Sequence, residues 1–217
     1  MGQAEISERD VTRRKGHKRL QTRTRLIQAA IELIRERGME GATLAAVAAR
    51  AGMTTGAIYG NFRNREDLFM AVAQVRAAPI VPQMWPGMSF AELLAGLAEA
   101  TIAAIPERRA AIRGALSFHQ YALAHEDLRK RVVAATAQEY ERAAAGLEVL
   151  FGAGDLPAPA DMVVRLLHVL TDGLLLQRFL TPELLPDEAI RAVFAVVGAP
   201  HGDGSAQMRR EGPNASY

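Results

Sequence analysis

From Thr22 to Val197 the chain carries apolar residues three and four positions apart, in runs stopped by glycine and proline. That period belongs to helices with one buried face. Leu26, Ala30, Leu33 and Ile34 share the first such face, with Arg25, Glu32, Arg35 and Glu36 elsewhere. Gly38 and Gly41 stop this helix, because glycine tolerates the left-handed C-terminal cap. Thr43 is placed to cap a second short helix to Ala51, and Thr54 or Thr55 a third to about Tyr59. Asn64 caps a fourth, with Glu66 and Asp67 in its first turn. Three prolines between 79 and 88 interrupt the pattern. Ser89-Phe-Ala-Glu92 is a capping box that opens a fifth helix. Pro106 is expected to start a sixth, Glu126 a seventh, Ala160 an eighth and Pro186 the ninth. The expected fold class is therefore all-α, with about nine helices. Alanine is abundant, and aromatic residues are only 6%, which agrees with it.

These breaks divide the 217 residues. Residues 1–20 lack apolar periodicity and read as a flexible basic arm. Residues 21–77 form a first domain that includes the fourth helix, and 78–197 a second. Residues 198–217 read as a disordered tail; no secretory signal is expected, so its Asn214-Ala-Ser216 sequon is expected to be a chance match. The longest apolar run, Leu166–Leu176, is broken by His168 and Asp172 and falls short of the ~20 residues of a membrane span. No association with a membrane and a cytoplasmic location are expected. The chain has no cysteine, so disulfides, thiolate catalysis and zinc–sulfur sites are excluded. Its five histidines are scattered, and neither a metal site nor a cofactor is expected. No phosphate-binding loop, dinucleotide fingerprint or nucleophile–histidine–acid spacing supports an enzyme.

The net charge of +2 conceals an asymmetry. Residues 1–75 hold 13 Lys and Arg against 8 Asp and Glu; residues 76–217 hold 13 against 16. The excess gathers at Arg9, Arg13, Arg14, Lys15, Lys18, Arg19, Arg23 and Arg25. An arm of this charge before a small helical domain is placed to track phosphates or to enter a minor groove. Behind it, Val47, Ala48, Gly52 and Ile58 have the spacing of a helix-turn-helix: a small residue where two helices cross, a glycine at the turn, and two apolar residues sealing the core.

Thr24–Gly38, then Ala42-Thr-Leu-Ala-Ala-Val-Ala-Ala-Arg-Ala-Gly-Met-Thr-Thr-Gly-Ala-Ile-Tyr-Gly-Asn-Phe62 and Asn64-Arg-Glu-Asp-Leu-Phe69, resemble the DNA-binding domain of the TetR/AcrR family of bacterial regulators. The resemblance covers about residues 22–75. It implies that the third helix, at 54–60, is the recognition helix. Thr54, Thr55 and Gly56 would approach the duplex, and Tyr59 and Asn61 would touch phosphates or base edges. Thr43 would bond a phosphate, and Arg65 would act as a phosphate clamp. The family often has basic residues near Thr55 and histidine near Gly60 or Asn61. Their absence moves weight to Arg63, Arg65 and the arm, with Arg23 and Arg25 at its root. Phe62 is expected in the domain core, and Tyr59 could also serve there.

The resemblance further implies a C-terminal all-α domain that binds an effector and forms a homodimer through the last two helices. The 160–180 helix, apolar nearly all round, supports a dimer by itself, since one chain could hardly bury every side of it. Candidate ligand-binding residues are polar or aromatic groups on apolar faces. His119 lies on the stripe of Ile112, Leu116 and Leu123 and is expected to point inward, as a ligand contact or a core histidine. Phe118 and Tyr121 lie off this stripe and are expected to face either a pocket or an interface. Arg165, His168 and Asp172 share a face, with Asp161 one turn before, as an intrahelical charge stripe, a dimer contact or a ligand-orienting set. Trp85, Met88 and Phe90 either anchor the loop or line a pocket entrance. Such a lining suits a hydrophobic or aromatic small molecule.

The expected function is a ligand-responsive, sequence-specific regulator, a repressor in the first instance. Its partners would be a double-stranded DNA operator, read at half-sites roughly 34–36 Å apart, and a small-molecule effector. The alternative is a helical small-molecule-binding protein or enzyme whose N-terminal helices are structural.

Overall fold

The computed structural model describes residues 2–76, 79–152 and 154–199. The expected disordered tail, apart from its first two residues, lies outside them. Among the described residues the protein is all-helical, with eight helices: α1 (Gly2–Gly41), α2 (Leu44–Arg50), α3 (Thr55–Tyr59), α4 (Arg65–Arg76), α5 (Phe90–Ala124), α6 (Glu126–Leu150), α7 (Ala160–Leu180) and α8 (Asp187–Gly198).

Two expectations are corrected. Residues 2–20 are not a flexible arm but the opening turns of α1. Pro106 does not start a helix; it sits inside α5, which runs unbroken for 35 residues. A proline there removes one backbone hydrogen bond and tends to kink a helix. Leu97, Ala98 and Ile105 before it and Ala111 after it are buried. Gly38 does end the straight part of α1, at φ 71°.

Contacts group the chain into two compact units, Met1–Pro79 with Pro106–Arg142, and Ile80–Ile105 with the chain from Ala143 onward. The first unit is built on α1–α4. Leu26, Ala30 and Leu33 of α1 meet Val47 and Ala48 of α2, Ile58 of α3, and Phe62, Leu68 and Phe69. Ala48 is 2% exposed, so the helix crossing leaves no room for a larger side chain. Gly52 makes the turn at φ 63°, a conformation that penalises a Cβ. The same core takes in Tyr121 and Ala122 of α5 and Leu128 of α6.

The second unit packs Leu94, Leu97, Ala98 and Ile105 of α5 against Leu174 and Leu175 of α7 and Ile190 and Phe194 of α8. Arg191 donates to both carboxylate oxygens of Glu99, at 2.6 and 3.2 Å. The Ser89–Glu92 capping box forms: Ser89 N donates to Glu92 Oε2 at 2.7 Å, and Glu92 N donates to Ser89 Oγ at 3.2 Å. The Ser89 backbone N–H, together with its hydroxyl, holds the Glu92 carboxyl below its ordinary value. The bond needs the ionised carboxylate, so its contribution is present above the ordinary glutamate value and is lost as pH falls through the lowered one. Glu92→Gln is therefore expected to weaken the fold at neutral pH and to make the acid side of a melting-temperature profile shallower.

α7 is not buried on most sides in the single chain. Met162, Leu166, Val169 and Leu180 are exposed, as is Val196 of α8.

Candidate nucleic-acid interface

The helix-turn-helix of the first unit is set by its caps. Thr43 Oγ1 accepts from Ala46 N at 3.2 Å and starts α2. Thr54 Oγ1 accepts from Ala57 N at 3.3 Å and starts α3, so Thr54, not Thr55, is the cap. Thr43, Thr54, Thr55 and Gly56 are all exposed. A Cβ on Gly56 would meet only Thr54 Oγ1, at 3.8 Å, so a partner can approach the backbone there. Tyr59 is 58% exposed at the end of α3, while Ile58 beside it is wholly buried. Tyr59 thus stands outside the core, and Phe62, 2% exposed, is inside it.

The basic residues divide by what holds them. Arg63 has a 92% exposed side chain, and its backbone N–H donates to Asp67 Oδ2 at 3.1 Å. Arg23 donates to the Asn61 carbonyl at 3.0 Å and lies 4.4 Å over the Phe62 ring. Arg25 donates to the Ala51 carbonyl at 3.0 Å. Both therefore brace the C-terminal ends of the helix-turn-helix, where carbonyls lack helical partners. The Asn61 amide donates to the Ala57 carbonyl at 2.8 Å, and its Oδ1 is buried without a partner in this structure.

Arg65 departs most from expectation. Its guanidinium donates to the Met39 carbonyl, to Glu40 Oε2 at 3.3 Å and to the Tyr121 hydroxyl at 3.2 Å. It also lies 5.0 Å from the Phe69 ring centre and 5.3 Å from that of Tyr121. With 23% of its side chain exposed, it ties α4 to α1 and α5 rather than standing free for a phosphate. Burial pushes the Tyr121 phenol above its ordinary value, partly opposed by the Arg65 charge. His125 stacks on the Tyr121 ring at 3.7 Å, and Arg131 pairs with Asp67. Glu40 and Arg131 carried no local signal, since their partners Arg65 and Asp67 lie 25 and 64 residues away. His125, only four residues from Tyr121, is a local pair that the sequence reading missed.

The ligand candidates do not form one constellation. Tyr121 is 7% exposed in the core of the first unit, and Phe118 packs against that core. His119 is exposed, against expectation. Its stripe carries Leu116 and Leu123, themselves 45% and 79% exposed, because α5 turns the face of Ala111, Tyr121 and Ala122 inward instead. Arg165, His168 and Asp172 are exposed on α7, with Arg165 Nη2 3.3 Å from Asp161 and His168 Nε2 3.5 Å from Asp172. In the second unit Met88 is buried, Trp85 is 46% exposed, and Phe90 meets Phe151 edge to face at 6.4 Å. Among the described residues no cluster of His, Asp and Glu could hold a metal ion, and no helix is long and apolar enough to cross a membrane.

Two family models match the chain: bacterial regulatory proteins of the tetR family over residues 26–72, and the C-terminal domain of BetI-type transcriptional repressors over 90–197. Two curated relatives from Pseudomonas putida are each 35% identical over 68 residues, or 31% of this chain. They are the HTH-type transcriptional regulator SrpR and the uncharacterized HTH-type transcriptional regulator TtgW. The match spans 32% of SrpR and 51% of TtgW. Three solved structures share the fold. The multidrug binding protein EbrR complexed with imidazole superposes with TM-score 0.59 at 23% identity, over 83% of this chain and 91% of that one. Salmonella enterica GusR gives 0.60 at 19%, over 82% and 96%. A putative transcriptional regulator from Pseudomonas aeruginosa PAO1 gives 0.61 at 20%, over 80% and 86%.

Proposed function

Because this chain belongs to the TetR family of bacterial regulatory proteins, we propose that it is a homodimeric repressor that binds an operator through α2–α3 and leaves it when a small molecule occupies its C-terminal domain. The carrying observation is the first unit's exposed face. The N-termini of α2 and α3 and the Tyr59 ring are presented outward on a core that buries Val47, Ile58 and Phe62. Thr43, Thr54, Thr55, Gly56, Tyr59 and Arg63 are the contacts. Helix N-termini offer unpaired N–H groups and a positive dipole to phosphates. Arg23, Arg25 and Asn61 hold the recognition helix in place, and Arg65 holds the domain. Tyr59→Ala should weaken operator binding by about 1.5–3 kcal/mol, the worth of a hydrogen bond to a charged group, with helicity unchanged by circular dichroism. Footprinting on DNA upstream of the protein's own coding sequence tests the reading: a protected palindrome supports it, and no protected site refutes it.

The dimer would form through the exposed α7 stripe of Met162, Leu166 and Val169 with Val196 of α8. Arg165, His168 and Asp172 lie beside this stripe and would set its polar rim rather than orient a ligand. Leu166→Glu should shift the sedimentation equilibrium toward monomer, raising the dissociation constant at least tenfold, an increment of about 1.4 kcal/mol. The effector would be hydrophobic or aromatic, in keeping with the Trp85, Met88 and Phe90 set. A coupling of about 1–3 kcal/mol would suffice for release. A thermal-shift screen identifies it. The protein would act in the cytoplasm, where the chromosome is, and would need no catalysis.

A further inference from the structure

Residues 11–31 hold seven Lys and Arg and no carboxylate, the most basic stretch of the chain. The structure makes its first half helical. α1 begins at Gly2, and every residue from Arg13 to Gln21 whose burial is described is exposed, whereas the first buried one among the described residues is Leu26. The twenty residues before Thr22 thus span about 30 Å of helix. Where this extension joins the domain, Arg19 Nη2 lies 3.5 Å from the Gly60 carbonyl and Arg23 Nη1 3.0 Å from that of Asn61. Both carbonyls belong to the end of the recognition helix, one and two residues beyond Tyr59. The basic turns therefore leave the domain beside the proposed DNA-reading surface.

Resting on the reading that α3 binds an operator, we propose that these turns of α1 form a basic rod that grips duplex phosphates flanking each half-site. A helix with side chains is about 10–12 Å across. The minor groove is only about 6 Å wide, which excludes the insertion open to an extended arm. Backbone phosphates remain, and they carry one charge per roughly 1.7 Å of duplex. Positions 14 and 18, and 15 and 19, lie one turn apart on α1, so basic residues recur along the helix at single-turn spacing. In the sequence Glu5, Glu8 and Asp10 outnumber Arg9 before residue 11, so the grip is assigned to the turns near the domain. Such contacts add affinity and site length without reading bases.

The test uses the full chain, titrated by fluorescence anisotropy on its footprinted duplex over a range of salt. One variant carries Arg13→Gln, Arg14→Gln, Lys15→Gln and Lys18→Gln. The other, Gly16→Pro, keeps every charge but breaks the helix. Both should bind more weakly, with the slope of log affinity against log salt shallower by up to about 0.9 for each phosphate no longer neutralised. The ratio of operator to unrelated-duplex affinity should stay unchanged, and trimming the flanking base pairs should erase the wild-type advantage. A four-fold variant with the wild-type slope overturns the proposal. So does a Gly16→Pro variant with the wild-type slope, which would mean that the charges act as a flexible arm. Wild-type protein that binds no duplex at all is a different result: it refutes the operator reading itself.

Discussion

Replacing Arg65 by alanine is expected to lower the stability of the folded protein by about 2–3 kcal/mol, in the range for hydrogen bonds to a charged group. It should reduce DNA affinity only as far as that loss of fold requires. The substitution strips a partner from the Met39 carbonyl and from the Tyr121 hydroxyl, and it removes a cation from two aromatic faces. Glu40 adds little to the total, because its side chain is 74% exposed and solvent screens the pair. Arg65→Lys should recover only part of the loss, since a single ammonium cannot bridge three acceptors in the guanidinium's planar arrangement. Thermal melts read the stability, and the salt slope of DNA binding reads the alternative. A phosphate clamp would leave the melt untouched and make the slope shallower.

Leu128→Ala is expected to cost about 2–5 kcal/mol, the range for truncating a fully buried leucine. Leu128 is wholly buried, yet it belongs to α6, far in sequence from the helix-turn-helix whose core it completes. A fragment ending at Pro79 would suffer for the same reason. It would lack Leu128, Tyr121 and Ala122 in its core, as well as the partners of Arg65 and Asp67. It should show reduced helicity and a much lower urea midpoint than the intact chain. A fragment that melts like the intact protein would show that α5 and α6 do not support the DNA-binding helices.

These two residues also mark where the sequence stopped being legible. The local devices could be read directly: Thr43, Thr54, Asn64 and the Ser89–Glu92 box act on N–H groups three residues away. So could the Val47, Ala48, Gly52 and Ile58 arrangement, which is set by two adjacent short helices. Arg65 could not, because its acceptors lie 26 and 56 residues away. His119 was misread because α5 offers two apolar faces, and only its packing partners choose between them. The Tyr121 face wins, as Phe69 meets that ring edge to face at 5.3 Å. Pro106 and the arm failed in the same way. Local preference marked a break and a coil, while α5 is helical through its proline. The structure makes the arm a helix although its exposed turns have no apolar periodicity to announce one.

The proposed function, and the basic rod that rests on it, depend on α3 reading a specific operator. That is decided by titrating the wild-type protein on its footprinted upstream duplex and on an unrelated duplex of equal length, at one physiological salt concentration. Operator binding should be at least about a thousandfold tighter than binding to the unrelated duplex, with Tyr59→Ala weakening the former. Equal affinity for both duplexes, falling away together as salt is raised, would contradict a sequence-reading role for α3.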